Sequence, residues 1–140
     1  MNNRNIFLVI ALLGLILISG CDKTDVITGP GDITAINSPA IANSAKSFAF
    51  NVIAKSYNSA LEYPVSFNGL TLDLALSLSN YSSGDVSIQT SDENKQMIFK
   101  LDYNQNTNLT QSITLETAPR KIKLVFSNFT ASFSFTLTSK

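Results

Sequence analysis

Chemistry has few places to happen in this 140-residue chain: it holds one cysteine, Cys21, and no histidine. Without imidazole the usual general base and the commonest zinc ligand are both missing. Serines are plentiful, but a serine hydroxyl attacks only when a base activates it, and nothing marks out a desolvated lysine for that role. A carboxylate pair for glycoside hydrolysis could be drawn from Glu62, Asp73, Asp85 and Glu116. Their spacing brings no two of them together, and solvated strand faces and turns account for all four. Asp92, Glu93 and Asp102 could offer oxygens to calcium, yet the Asp-rich loop with a central glycine is absent, so they read as turn residues. No catalytic and no metal-ligating residue is assigned, and the chain is read as not being an enzyme. Tyr57, Tyr63, Tyr81 and Tyr103 are the candidate ligand-binding residues. With no tryptophan in the chain, they are the aromatic faces that could hold a glycan, with asparagine neighbours for hydrogen bonds. Ordinary packing at strand edges is the competing reading.

The lone thiol stands at the end of a distinctive stretch. Residues 1 to 5 carry Arg4 and no acid, Ile6 to Ile18 runs without a polar side chain, and Ser19 and Gly20 follow. That is the layout of a secretory leader, with a basic start, a short apolar core and small residues at the cleavage point. The apolar run falls short of the roughly 20 residues that a membrane-spanning helix needs. Ile18-Ser19-Gly20-Cys21 resembles the lipobox of bacterial lipoproteins, in which an aliphatic residue, a small residue and Gly or Ala precede the cysteine. The resemblance covers the first 21 residues. It implies a diacylglycerol on the Cys21 sulfur, cleavage between Gly20 and Cys21, and acylation of the new amino terminus. A thiolate suits that transfer because it is a far better nucleophile than a hydroxyl. Each buried CH₂ of the acyl chains contributes about 0.8 kcal/mol, so two or three chains would hold the protein at a membrane effectively permanently. A cysteine spent on lipid leaves none for a disulfide.

These features set the expected organisation: a signal-peptide helix over residues 1–20, a lipidated tether over 21–45 and one folded domain over 46–140. Ten basic and ten acidic side chains balance across the whole chain, and loss of Arg4 with the leader leaves nine against ten. Near-neutral charge with no basic run excludes nucleic acid as the natural partner. The tether is punctuated by Gly29-Pro30-Gly31 and Ser38-Pro39 and keeps no period. Ile33 to Ile36 is the one piece of it that could pair as an edge strand.

The domain must stand on alternation. Leu70, Leu72, Leu74, Leu76 and Leu78 fall on one face of an extended chain, with Thr71, Asp73, Ala75, Ser77 and Ser79 on the other. Lys46 to Lys55 groups Phe48, Phe50, Val52 and Ala54 in the same way. Asp85 to Thr90 and Gln96 to Leu101 form a hairpin across the polar Ser91 to Lys95, and the stretch Asn80 to Gly84 reads as a turn before it. A polar loop around Asn104 to Asn108 precedes a strand over Ser112 to Glu116. Lys121 to Ser127 and Ala131 to Ser139 alternate again. Pro64 places Leu61 to Phe67 at an edge or in a loop, because it has no N–H to give a ladder. Arg120, Lys121 and Lys123 read as the solvated face of a strand, with lipid headgroups as the sharper alternative.

The expected fold is an all-β antiparallel sandwich of about 7–8 strands. Its order of features resembles a small jelly-roll-like or immunoglobulin-like sandwich of secreted bacterial proteins, and no functional residue is carried across that resemblance. The expected function is a lipid-anchored cell-envelope protein, on the periplasmic or cell-surface side, whose sandwich is a structural or protein-interaction module. A carbohydrate-binding module is the alternative. The expected partners are membrane lipid through Cys21 and an envelope protein or glycan, with no cofactor beyond the covalent lipid.

Overall fold

The computed structural model describes residues 35–140. The expected leader, the lipobox-like stretch with Gly20 and Cys21, and most of the expected tether lie outside the described residues. Six strands and no helix make up what is described: β1 (Ala40–Asn43), β2 (Ser47–Pro64), β3 (Thr71–Ser91), β4 (Met97–Tyr103), β5 (Thr107–Thr114) and β6 (Lys121–Ser139). All strand pairs are antiparallel, in the order β1-β2-β6-β3-β4, with β5 also against β3.

Three strands are long, at 18, 21 and 19 residues. A straight strand of about 20 residues would span about 65 Å, whereas a domain of about 100 residues has a radius of gyration near 13 Å. The long strands therefore bend, and each serves two layers. In layer one, Ser47–Ala54 of β2 pairs with β1 and with Ala131–Thr138 of β6, while Leu72–Ser79 of β3 lies between β6 and β5. In layer two, Ser59–Pro64 of β2 pairs with Lys121–Phe126 of β6, and Val86–Ser91 of β3 lies between β6 and β4. The two layers face each other across one core, and the fold is an antiparallel β-sandwich.

The bend has its own chemistry. Pairing is irregular between Ala54 and Ser59 on β2 and between Ser79 and Asp85 on β3. Ser56, Asn80, Gly84 and Asn128 adopt positive φ there, at 47°, 54°, 80° and 46°. Asparagine tolerates this left-handed region better than most residues because its short amide bonds locally. Side chains then satisfy backbone groups that the broken ladder leaves free. The Asn58 amide oxygen accepts from Asn128 N–H at 2.8 Å, and the Asn106 oxygen accepts from Tyr81 N–H at 3.0 Å. The Thr130 hydroxyl accepts from Ser56 N–H at 2.9 Å.

Alternation fills the space between the layers. Phe48, Phe50 and Val52, then Leu72, Leu74, Leu76 and Leu78, then Phe133, Phe135 and Leu137 are buried from layer one; Val86, Ile88, Ile122, Leu124 and Phe126 meet them from layer two. Phe50 and Phe126 stack across the core with centroids 5.7 Å apart. Thr90 is buried among these side chains, its hydroxyl without a partner among the described residues.

Several expectations are corrected. Asn80 to Gly84 is no chain reversal but the bend of one continuous strand, and Lys121 to Ser127 and Ala131 to Ser139 are likewise one strand. Six strands thus replace the expected 7–8, since bent strands do the work of separate ones. The sheet also starts before residue 46: Ala40–Asn43 pairs with Phe48–Asn51, and Ile36 bridges Ile53. Ala40–Asn43 is too short to show a period of its own, and backbone pairing asks only for an open edge. Leu70 precedes β3 and is 45% exposed, unlike the four leucines that follow it. Strand β5 begins at Thr107, inside the expected polar loop, because an edge strand can turn polar side chains to water. Pro64 closes β2 at the sandwich edge, where no ladder partner needs its missing N–H.

Candidate functional site

The four tyrosines lie on the inner side of their strands: Tyr103 follows the alternation of β4, whereas Tyr57, Tyr63 and Tyr81 are out of phase with the buried even-numbered residues of β2 and β3 and turn inward at the register shifts of the bends. Tyr57, Tyr63, Tyr81 and Tyr103 are all half-buried and pack against the core. Tyr63 lies with its ring centroid 5.3 Å from Phe48 and 6.2 Å from Phe50, and Tyr57 lies 5.1 Å from Phe126. Burial, with a smaller contribution from Tyr57, pushes the Tyr63 hydroxyl above the usual phenol range, and burial raises Tyr103 as well. Tyr81 reaches back so that its hydroxyl donates to the Gly84 carbonyl at 3.0 Å, bracing the bend. Tyr57 and Tyr63 share one face of β2, while Tyr103 stands opposite Val86 on the far side of the sheet. The set is therefore divided between two edges and offers no common exposed platform.

Three of the carboxylates, Glu62, Asp73 and Asp102, are paired with cations. Glu62 meets Lys121 at 2.9 Å and Lys123 at 3.5 Å, and the hydrogen bond from Lys121 holds its carboxyl below the usual range. Asp73 accepts from the Ser112 hydroxyl and pairs with Lys140 at 2.9 Å; the serine bond and then the lysine lower it. Asp102 pairs with Lys100 at 3.0 Å and is lowered chiefly by that contact. Asp92 caps its own turn by accepting from Gln96 N–H at 2.8 Å. Among the described residues no cluster of three acids is placed to hold a metal ion. These are strand-face and turn pairs, worth little individually in water.

Two of the shallow clefts beside the β3–β4 turn bear on these residues. One, of about 360 Å³, lies where the layers part: Met97 and Ile98 of β4 face Thr114 at the end of β5 and Leu115 just beyond it, with Asp92 and Glu116 at the rim. The other, of about 330 Å³, is bordered by Lys95, Lys121, Lys123 and Glu62 around Gln89 and Ser91. The sequence flagged Lys121 and Lys123 together but missed Lys95, which only the hairpin brings to them. Arg120 leaves that group, because its guanidinium donates to the Phe67 carbonyl at 3.2 Å. Met97, the first residue of β4, carries the largest exposure among the large apolar side chains of the described residues, at 62%.

No family model matches the chain, and no curated protein matches it in sequence. Among solved structures it is similar to a family 6 carbohydrate-binding module studied for its binding sub-sites. That likeness has 16% identity, covers 79% of this chain and 91% of the other, and has a TM-score of 0.39. It is also similar to the module CsCBM6-3 from Clostridium stercorarium, solved in complex with cellobiose, at 12% identity over 73% of this chain and 82% of the other, with a TM-score of 0.35. Likeness at this level assigns no ligand to the present chain, whose architecture rests on its own strand pairing.

Proposed function

We propose that the chain is a lipid-anchored protein of the cell envelope whose β-sandwich is a non-catalytic structural or protein-interaction module. The observation that carries the reading is Ile18-Ser19-Gly20-Cys21, the small residues and the only thiol of the chain directly after the apolar run. The body supports it in kind. Its three cation-paired acids are stabilised as carboxylates rather than poised to exchange protons. The chain also has no histidine to act as a base. Contact with partners then falls to strand edges and to the clefts at the end of the sandwich.

The test is metabolic labelling with radioactive palmitate in a bacterial host. The parent chain is expected to incorporate label and shorten, and Cys21→Ala to remain at precursor length without label. Equal labelling of the two would overturn the anchor.

A further inference from the structure

Three of the free edge segments among the described residues carry a feature that discourages pairing with another chain. Strand β1 has only four residues and follows Pro39. The outer half of β2 holds Glu62 and ends in Pro64. Strand β4 holds Lys100 and Asp102 and shifts register near Ser91. Strand β5 differs: Thr107–Thr114 has no charge and no proline, and it pairs with Thr71–Leu78 without a shift.

One hydrogen bond fixes which backbone groups this edge presents. Leu115 N–H donates to Leu70 O at 2.8 Å, so these two form a bonded pair of the β3–β5 ladder. Bonded and non-bonded pairs alternate in an antiparallel ladder. Thr107, Leu109, Gln111 and Ile113 therefore turn N–H and C=O toward β3, while Asn108, Thr110, Ser112 and Thr114 turn theirs away. The bond from Lys140 N–H to Thr71 O, on the β6 side of β3, agrees with that alternation.

We propose that the β5 edge pairs antiparallel with the β5 edge of a second copy of the chain, about a two-fold axis at Gln111. This deepens the interaction-module reading of the sandwich and does not depend on the anchor. In that register Asn108 bonds Thr114 of the second copy and Thr110 bonds Ser112, so every outward N–H and C=O of the four residues is used. The half-buried Leu109 then meets Ile113 of the second copy, apolar beside apolar on the core side. Shifting the axis to Thr110 or Ser112 leaves outward groups unpaired and sets one of those side chains against Gln111. No charge in β5 opposes the approach.

The test uses the full chain carrying Gln111→Cys. At the axis the two Cα atoms form a non-bonded pair about 4.5 Å apart, inside the roughly 4.4–6.8 Å range of disulfides. Mild oxidation is expected to convert more than half of the chain to a reducible dimer, and Lys100→Cys on the β4 edge at least tenfold less. Adding Thr110→Pro removes an outward N–H while sparing every bond to β3, and it is expected to cut the dimer at least tenfold with the β circular dichroism unchanged. Thr110→Lys repeats the test without altering the backbone. If Gln111→Cys crosslinks no more than Lys100→Cys, or if both Thr110 variants crosslink as well as their parent, the self-pairing is overturned. The chain with Cys21 alone runs alongside: a dimer there reports a free Cys21 thiol and counts against the anchor, while the edge is judged by the difference over that background.

Discussion

Gly84→Ala should unfold the sandwich more readily than any other single-methyl change at an exposed or half-exposed site. Gly84 has φ +80° at the bend of β3, and a Cβ there would press into the backbone carbonyl oxygens of Ser127 and Asn128. The left-handed conformation alone disfavours an L side chain by about 1–2 kcal/mol. Overpacking adds about 1–3 kcal/mol, and the obstacles here are backbone atoms of a neighbouring strand, which cannot swing aside as a flexible side chain would. The expected loss is about 2–5 kcal/mol, and at about 4 °C per kcal/mol the melting temperature falls by about 8–20 °C. Urea unfolding followed by circular dichroism measures it, with an unchanged m-value marking a loss of stability rather than a looser native state. Ser82→Ala, two residues away and exposed, is the control and should stay within about 0.5 kcal/mol. A Gly84→Ala midpoint equal to that control would mean that β3 and β6 do not approach at the bend as described, and the two-layer account would fail with it.

Tyr63→Ala should destabilise the domain by about 2–3 kcal/mol through lost packing on Phe48 and Phe50, somewhat less than truncating a fully buried aromatic. Soluble oligosaccharides should leave the nuclear magnetic resonance signals of the four tyrosines in place; a saturable shift that Tyr63→Ala abolishes would favour the carbohydrate-binding alternative instead. For pH, the Glu62, Asp73 and Asp102 carboxyls lie below their ordinary values when folded. Their contribution is therefore complete above the unfolded carboxylate values, about 4, and is lost as pH falls through the lower folded values. The urea midpoint should be flat from pH 6 to 5 and decline below about pH 4, less steeply in high salt because the pairs are exposed. A midpoint that rises between pH 5 and 3 would contradict these assignments.

Much of the core was legible because a strand has a period of two and the sequence repeats it plainly. Leu72, Leu74, Leu76 and Leu78 lie buried together as their spacing implied, as do Phe48, Phe50 and Val52, and Phe133, Phe135 and Leu137. The bends were not legible as bends. Asn80 to Gly84 has the composition of a reversing turn, and whether such a stretch reverses the chain or only kinks it depends on the neighbours that supply its hydrogen bonds. At Asn80 to Gly84 that neighbour is Asn106, which accepts from Tyr81 N–H; Asn58 and Thr130 do the same for Asn128 and Ser56 at the other bends, and each is distant in sequence from the group it satisfies. The tyrosines were selected for their chemistry, but the register shifts at the bends, which a period of two does not foresee, turned Tyr57, Tyr63 and Tyr81 toward the core, and only Tyr103 follows the parity of its strand.

The amino-acid sequence alone determined three things: an apolar run ending in Ser19, Gly20 and the single thiol of the chain, the absence of histidine, and the period-two alternation of the buried stretches. These are properties of local order and composition, present before any folding. Only the tertiary structure decided which strands became neighbours, where the long ones fold over, and which edge was left uncharged and open. Each of those depends on contacts between segments far apart in the chain, and period-two alternation is blind to them because it fits every antiparallel partner equally well.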